Sequence, residues 1–278
     1  MTKTEYHIAS SESLNMQGDP GVSLTIALVA DLHERNPETV LEILEDAKPD
    51  VIAVAGDTLE RYEHGDNLDR GDRSMISRLI CTGIHVADKL AGARHREKQD
   101  VKTEYAYRFF REAGRIAPVV MSLGNHELYL TEQDKKVLSD AGVKLLDNEC
   151  VKIRDVLFGG IPSRQVTGGF DEEFLERFSS APQYKVLLCH HPEYYDYLCG
   201  FNIDLVLSGH CHGGQIRVRG RGIFAPGQGL FPKYHHGVYD RLVVSAGCSN
   251  TASIPRWGNE TEVVIVRCQT PEKKNKQS

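Results

Sequence analysis

The chain has 278 residues, of which 40% are hydrophobic and 26% charged, so it holds enough apolar material for one sizeable core. Its formal net charge of −6 argues against a general nucleic-acid-binding protein, because such proteins usually present a basic face. Seven cysteines without a Cys-x-x-Cys pair indicate reduced thiols. We find neither a transmembrane-length apolar run nor an N-terminal signal pattern, and therefore expect a soluble, cytoplasmic protein.

The N-terminal part of the chain predicts a β-α-β unit. Residues 5–10 and 22–30 have the composition of strands, and the second of these runs is strongly β-forming. Pro37 is a good first-turn residue for an amphipathic helix that continues to about Ala47. Residues 51–55 form the next buried strand. This order predicts a parallel strand pair with a helical crossover.

The remaining predicted elements alternate between helices and short strands. We predict helices at 73–92, 101–114, 131–140 and 171–178, and strands at 117–121, 143–147, 150–154, 156–160, 185–189, 204–207, 214–219, 241–246 and 262–267. The short strands between 143 and 160 indicate a change to more antiparallel pairing. We expect a single domain over residues 1–270 and a polar tail at 271–278.

The stretch Ser122–Glu127 is central to the functional interpretation. It follows the apolar run of the predicted 117–121 strand, and its Gly-Asn pair breaks that run into a tight turn. A turn at the end of a strand presents side chains to a ligand on a rigid support. Asn125 offers a carbonyl oxygen and His126 an imidazole, so the turn could supply a metal ligand and a proton carrier side by side. Taken alone, it is also typical of an ordinary Asx or capping turn.

Other apolar runs end in the same way, each just before a potential metal ligand. Together with Asn125, the candidate ligands are Asp31, His33, Asp57, His190, His210 and His212. Residues at several strand ends gather at one edge of a sheet. Carboxylate, imidazole and amide oxygen suit Mn²⁺, Fe²⁺ or Zn²⁺ rather than a thiolate site or a Ca²⁺ cage. Seven ligands exceed the need of one tetrahedral ion and suit two ions that share a carboxylate.

In chain order these residues form a pattern of five blocks. The blocks are Asp31-Leu32-His33, Gly56-Asp57, Gly124-Asn125-His126-Glu127, His190 and Gly209-His210-Cys211-His212. The pattern resembles the calcineurin-like metallophosphoesterase superfamily, over roughly residues 22–265. This resemblance implies a metal-dependent phosphoester hydrolase with an α/β fold. In that fold, two mixed β-sheets pack together between helices and a dinuclear metal site lies at the C-terminal ends of the strands.

The same resemblance implies how two divalent ions would be held. Asp31, His33, Asp57 and His212 would bind the first ion, and Asp57, Asn125, His190 and His210 the second, with Asp57 bridging. A metal-bridging hydroxide would be the nucleophile. His126 is not a ligand in this scheme and would act as the general acid that protonates the leaving alkoxide.

This chain departs from the superfamily pattern at two places. Several members carry an Asp three residues after the bridging Asp, where it orients the histidine acid. Here that position is Glu60, which is one methylene longer, and we predict that it takes the same role. Arg61 follows and is a candidate phosphate contact, as an arginine is there in the phosphatase branch. The second departure is the long segment 60–116, which either caps the substrate or packs on the surface.

Three later stretches resemble a bacterial branch of the superfamily. They are Gly209–Gln215, Lys233–Tyr239 and Arg256–Asn259. That branch includes phosphodiesterases, among them hydrolases of UDP-2,3-diacylglucosamine. By this resemblance Arg256 and Asn259 are candidate substrate contacts.

We therefore expect a phosphodiesterase that acts on a small-molecule phosphoester. A phosphomonoesterase acting on a nucleotide, a sugar phosphate or a phosphoprotein is the alternative within enzymes. The alternative outside enzymes is a metal-bound scaffold without catalytic activity. Such a scaffold would be expected to lack some of the metal ligands. The intact set here argues against it.

Overall fold

The computed structural model of the chain describes residues 1–9, 23–61, 102–163, 170–225, 228–250 and 256–269. The strands are β1 (Thr2–Ala9), β2 (Ser23–Val29), β3 (Val51–Ala55), β4 (Val119–Ser122), β5 (Lys144–Leu145), β6 (Glu149–Ile153), β7 (Val156–Ile161), β8 (Tyr184–Cys189), β9 (Leu205–Ser208), β10 (Arg217–Val218), β11 (Arg221–Gly222), β12 (Phe224–Ala225), β13 (Gly229–Leu230), β14 (Gly237–Tyr239), β15 (Leu242–Val244) and β16 (Glu262–Gln269). The α-helices are α1 (Glu38–Ala47), α2 (Thr103–Ile116), α3 (Glu132–Asp140), α4 (Glu172–Ser179) and α5 (Tyr195–Leu198). Among these described helices, none is long and apolar enough to cross a membrane.

The first six-stranded sheet has the order β1-β16-β2-β3-β4-β5. Strands β2 to β5 are parallel to one another, while β16 is antiparallel to β2 and parallel to β1. Helix α1 connects β2 to β3, as the predicted β-α-β unit requires. The parallel arrangement brings the C-terminal ends of β2, β3 and β4 to one edge of the sheet.

The second six-stranded sheet has the order β14-β15-β9-β8-β7-β6. Its four inner strands are mutually parallel, and the two edge strands β14 and β6 are antiparallel to their neighbours. The predicted change to antiparallel pairing between 143 and 160 is therefore right only for the β6–β7 hairpin. Strand β5 pairs parallel with β4, and β7 pairs parallel with β8 because α4 provides the crossover.

The main core lies between the two sheets. Leu28 and Ala53 of the first sheet and Phe158, Val186 and Leu207 of the second belong to one buried cluster. A second cluster packs helices α1, α2 and α3 on the outer face of the first sheet, and a third packs α4 and α5 on the second sheet. The expected architecture of two packed mixed sheets flanked by helices is confirmed.

Local sequence signals explain where the described helices begin and end. Helix α1 follows Pro37 and ends at Lys48, which adopts a left-handed conformation. Helix α3 begins with a capping box between Thr131 and Asp134. Asp171 caps α4 by accepting a hydrogen bond from the backbone N–H of Phe174. The predicted helix at 73–92 lies outside the described residues.

The described end of the segment 60–116 forms helix α2. Its residues Ala106, Phe109 and Phe110 are fully buried against the first sheet, so this helix is part of the core. A capping role for the remainder of the segment stays a prediction. The predicted strand at 214–219 is shorter than expected, because a 3-10 turn at His212–Gly214 precedes β10. The short strands β11 to β14 were not predicted.

Candidate active site

The predicted metal ligands and His126 lie in the loops that follow five parallel strands. Those loops carry Asp31 and His33 after β2, Asp57 after β3, Asn125 and His126 after β4, His190 after β8, and His210 and His212 after β9. The first three loops belong to one sheet and the last two to the other. Because the two sheets pack face to face, their loops meet at one edge of the core.

Five of the predicted ligands have left-handed backbone conformations. They are Asp31, His33, Asp57, His210 and His212, with φ between 45° and 68°. This region costs a non-glycine residue on the order of 1 kcal/mol or more, so it persists only where the surroundings enforce it. Such strain concentrates at functional sites, and its repetition marks these loops as built for a fixed side-chain geometry.

Backbone contacts hold the first three loops together. The N–H of Asp31 donates to the carbonyl of Gly56, and the N–H of His33 donates to the carbonyl of Asp57, at 3.1 and 2.9 Å. The backbone at Gly124 approaches Asp57 so closely that a Cβ there would lie 2.0 Å from Oδ1 of Asp57. Glycine is therefore required at 124 by contact with the carboxylate.

One oxygen of Asp57 is the centre of the site. Its Oδ2 lies 3.1 Å from Nε2 of His190, 3.8 Å from Nε2 of His33 and 3.9 Å from Nε2 of His126. The other oxygen, Oδ1, accepts a hydrogen bond of 2.9 Å from the backbone N–H of His126. Asp57 thus contacts groups from both sheets.

The remaining predicted ligands surround this carboxylate. Oδ1 of Asp31 lies 3.9 Å from Nε2 of both His33 and His212, and the carboxylate accepts a hydrogen bond from the backbone N–H of His210. Oδ1 of Asn125 lies 3.1 Å from Nε2 of His190. All seven predicted ligands are buried.

Hydrogen-bond acceptors beside the Nδ1 atoms of two histidines define the tautomers of these rings. Nδ1 of His190 lies 2.6 Å from the carbonyl oxygen of Ala55, which can only accept, so Nδ1 carries a proton. Nδ1 of His33 lies 2.6 Å from Oε1 of Glu60 and donates in the same way. In the neutral ring the lone pair is then on Nε2, which in both residues points toward Asp57.

Several residues of the site have strongly shifted pKa values. Burial acts to raise the pKa of Asp57, but the neighbouring His190 and His126 hold it well below its usual range. Burial acts to lower the pKa of His190, but the charge of Asp57 raises it to about 10. For His210 and His212, burial keeps the pKa well below the usual value, so both rings are neutral, as metal ligands are.

The donor set fits divalent metal ions. Ligand atoms of Asp31, His33 and His212 lie within 4.8 Å of one another, and so do those of Asp57, His190 and His210. Nε2 of His33 and Nε2 of His210 are buried without a hydrogen-bond partner. An unpartnered buried polar atom costs about 1–3 kcal/mol, and a bound cation would remove that cost.

His126 differs from the buried histidines in its access to solvent. Its side chain is 21% exposed, whereas that of His33 is 1% exposed and that of His190 is fully buried. Its Nδ1 lies 2.9 Å from Oε2 of Glu60, so one carboxylate contacts both His33 and His126. Burial acts to lower the pKa of His126, but Asp57 and the hydrogen bond with Glu60 raise it to about 9.

Glu127 is a buried residue beside the predicted ligands to which the sequence assigned no role. Its Oε2 accepts hydrogen bonds from the backbone N–H groups of Asp57 and Gly124, and its Oε1 accepts from those of Thr58 and Leu59, all at 2.6–2.9 Å. The buried carboxylate therefore fixes the loop of Asp57. In the sequence, only the position of Glu127 directly after His126 associates it with the site, and that position does not reveal its four backbone partners.

The structure places Arg61 in a network of buried carboxylates. Its Nε and Nη2 donate to Asp134 at 2.8 and 2.7 Å, and its Nη1 donates to Glu34 at 2.8 Å. Tyr107 and Thr131 also donate to Asp134. A phosphate contact for Arg61 stays a prediction that these contacts do not test.

The other two predicted substrate contacts lie beside the loop of His212. Asn259 donates through Nδ2 to the backbone carbonyl of His212 at 2.5 Å. Nη2 of Arg256 lies 3.3 Å from Nδ1 of His212, and its Nη1 donates to the carbonyl of Ala246 at 2.6 Å. Both residues thus contact a predicted metal-ligand loop, and their contact with substrate stays a prediction.

Comparison with known proteins gives one family and several relatives. Residues 24–214 match the family model of the calcineurin-like phosphoesterases. The chain is 26% identical to the uncharacterized protein YpbG of Bacillus subtilis, over 92% of this chain and 85% of YpbG. It is 27% identical to an uncharacterized metallophosphoesterase of Aquifex aeolicus, over 88% of this chain and 85% of that protein. The solved structure of TT1561 of Thermus thermophilus aligns with a TM-score of 0.40 and 13% identity, over 68% of this chain and 82% of TT1561.

Proposed function

Because this chain belongs to the calcineurin-like phosphoesterases, a family of metal-dependent phosphoester hydrolases, we propose that it hydrolyses phosphodiesters with two divalent metal ions. The observation that carries the proposal is the position of Oδ2 of Asp57, which faces the Nε2 atoms of His33, His126 and His190. Two of these histidines are proposed ligands of different ions. The third is the more accessible His126.

The proposed ligands divide into two sets that share Asp57. One set is Asp31, His33, Asp57 and His212, and the other is Asp57, Asn125, His190 and His210. The oxygen and imidazole donors support Mn²⁺, Fe²⁺ or Zn²⁺ as the ions. Two bound divalent ions supply an activated water and stabilise negative charge on the phosphoryl oxygens. Glu60 and the carbonyl of Ala55 orient the ligand histidines by accepting from Nδ1.

We assign proton donation to Nε2 of His126. Its Nδ1 is hydrogen-bonded to Glu60, so Nε2 is the atom left to give a proton to the leaving oxygen. Because the side chain of His126 is partly exposed, a substrate can reach it, whereas the buried histidines are not accessible in this way. A positioned acid of this kind contributes about 10²–10⁴ in rate for a poor leaving group.

The ion pairs of Arg61 support a diester over a monoester. A diester carries one negative charge, whereas a monoester carries close to two at neutral pH. Arg61 is neutralised by Glu34 and Asp134, which leaves less positive charge for a dianion.

The reduced thiols expected from the sequence support a cytoplasmic location, which we include in the proposal.

One matched pair of substrates tests this function. We would measure kcat/KM for bis(p-nitrophenyl) phosphate and p-nitrophenyl phosphate, with metal content determined on the same sample. We expect about two ions per chain and a preference for the diester. A preference for the monoester would favour a phosphomonoesterase, and metal binding without turnover of either substrate would favour a scaffold.

The leaving group isolates the role of His126. p-Nitrophenolate leaves without protonation, whereas phenolate benefits from an acid. We therefore expect His126→Asn to lose about 10²-fold on diphenyl phosphate and much less on bis(p-nitrophenyl) phosphate. Asp57→Asn is the comparison variant, since it should lose bound metal and activity on both diesters. Equal losses of His126→Asn on the two diesters would exclude the acid assignment.

A further inference from the structure

The most exposed large apolar side chains of the described residues belong to segments that backbone hydrogen bonds join. Phe231 and Trp257 are each 72% exposed and Val218 is 51% exposed, more than any other large hydrophobic side chain in the described ranges. Single exposed apolar residues are ordinary on a protein surface, but a cluster of them marks an interaction site.

Backbone hydrogen bonds place these three residues in one small structure. Arg217 donates its N–H to the carbonyl of Trp257 at 2.8 Å, Ile223 donates to Ile216 at 2.8 Å, and Phe231 donates to Ile223 at 2.9 Å. Strands β10 and β11 pair between these contacts, with Val218 opposite Arg221. We call residues 215–224, 229–231 and 257 the arginine ribbon.

The arginine ribbon is also basic. It carries Arg217, Arg219 and Arg221, and the last two are exposed. Among the described residues, no carboxylate lies within ion-pair distance of these three guanidinium groups, although many other cations are paired. This positive cluster contrasts with the net charge of −6 of the whole chain.

The arginine ribbon continues directly from the proposed metal site. It begins at Gln215, immediately after the 3-10 turn that contains His212. Asn259 donates to the carbonyls of both His212 and Gln215, and Trp257 donates its N–H to Gln215. A surface that binds the ribbon would therefore lie beside the proposed active site.

We propose that the arginine ribbon docks the protein on the surface of an anionic lipid bilayer. Tryptophan is favoured at the boundary between headgroups and acyl chains, phenylalanine inserts there on the apolar face of interfacial segments, and nearby arginines bind anionic headgroups. The three arginines, which have no ion-pair partner among the described residues, argue for this occupant over a second copy of the chain, because pairing two ribbons would bring like charges together. Docking brings the proposed site to phosphodiesters held in the membrane surface.

The chain contains its own reporter for this proposal. Trp257 is its single tryptophan, so tryptophan fluorescence, excited selectively over that of the tyrosines, reports the environment of the ribbon alone. We would titrate the purified protein with vesicles of phosphatidylcholine and with vesicles that also contain phosphatidylglycerol. We expect a blue shift of the emission and co-sedimentation with the anionic vesicles only. Both effects should disappear in salt of about 1 M, where charges are screened beyond roughly 3 Å.

Variants separate the contributions of charge and apolar contact. Arg219→Glu combined with Arg221→Glu should weaken binding to anionic vesicles by at least about 25-fold, since each arginine contributes about fivefold. Lys135→Glu combined with Lys136→Glu is the matched control, because both lysines are exposed on α3. Phe231→Ser should weaken binding, whereas Tyr129→Ser, at another exposed aromatic residue, should not.

Three results would overturn the proposal. The first is the absence of both a spectral shift and co-sedimentation with anionic vesicles at low salt. The second is binding by the double arginine variant that equals binding by the wild type. The third is a shift of Trp257 emission that depends on protein concentration without vesicles, which would identify a second copy as the occupant. These measurements need no turnover, so their failure is distinct from failure of the proposed hydrolysis.

Discussion

Oε2 of Glu60 lies 2.9 Å from Nδ1 of His126, while the other oxygen of the same carboxylate lies 2.6 Å from Nδ1 of His33. A proposed acid and a proposed ligand are thus oriented by one side chain. Burial acts to raise the pKa of Glu60, but the hydrogen bonds from His126 and His33 lower it to about 2. Glu60 therefore remains a carboxylate throughout the neutral range.

Glu60→Gln should lower both activity and the pKa of His126. The variant keeps the size of the side chain but removes the negative charge that stabilises the imidazolium. We expect kcat on diphenyl phosphate to fall about 10- to 100-fold, with the basic limb of the pH profile moved to lower pH. Glu60→Asp keeps the charge and should shift the profile less. An unchanged profile in Glu60→Gln would show that Glu60 does not position His126.

The stability of the metal-free protein should fall as pH rises from 6.5 to 9. The pKa of His126 is about 9 in the folded protein and about 6.5 in the unfolded chain. A histidine with a raised pKa stabilises the fold fully below 6.5, and this contribution is lost as pH rises through the folded value. Urea unfolding of chelator-treated protein across this window measures the effect. His126→Asn should reduce the slope, and an unchanged slope would contradict the assignment.

Glu127→Gln should destabilise the protein and loosen the loop of Asp57. A glutamine has one acceptor oxygen, so the backbone N–H groups that face its amide nitrogen lose their partner. We expect a loss of about 3 kcal/mol in the free energy of unfolding, together with weaker metal binding. Glu132→Gln, at a side chain that is 89% exposed, is the control and should change stability by less than about 0.5 kcal/mol. Equal stability of the two variants would argue against the anchoring role.

Arg61→Met tests whether Arg61 is mainly structural. Removing the guanidinium leaves Glu34 and Asp134 buried without their cation, which should cost about 3–5 kcal/mol of stability. Arg111→Met breaks an exposed pair with Glu104 and should cost about 1 kcal/mol or less. A raised KM for diesters with unchanged stability would instead support Arg61 as a phosphate contact.

The sequence by itself determined the fold class and the chemistry of the candidate site. Apolar runs that stop just before Asp31, Asp57 and His190 are local signals, and each corresponds to a strand that ends at the same edge in the structure. Carboxylate, imidazole and amide donors are properties of residue type, so their preference for divalent ions needs no coordinates. The start of helix α3 is also a local sequence signal, because its capping box lies within four residues.

Only the tertiary structure decided how side chains far apart in the chain combine. Arg61 and Asp134 are separated by 73 positions, and Glu127 meets the N–H groups of residues 57–59 across a similar distance. The same holds for the arginine ribbon. Trp257 comes after β15 in the chain, yet its backbone forms hydrogen bonds with residues 215–217, which come before β15. A sequence pattern reports periodicity within one element, whereas these contacts arise from the packing of two sheets and their loops. Packing also directs both oxygens of Glu60 to different histidines, a geometry that residue type alone does not specify.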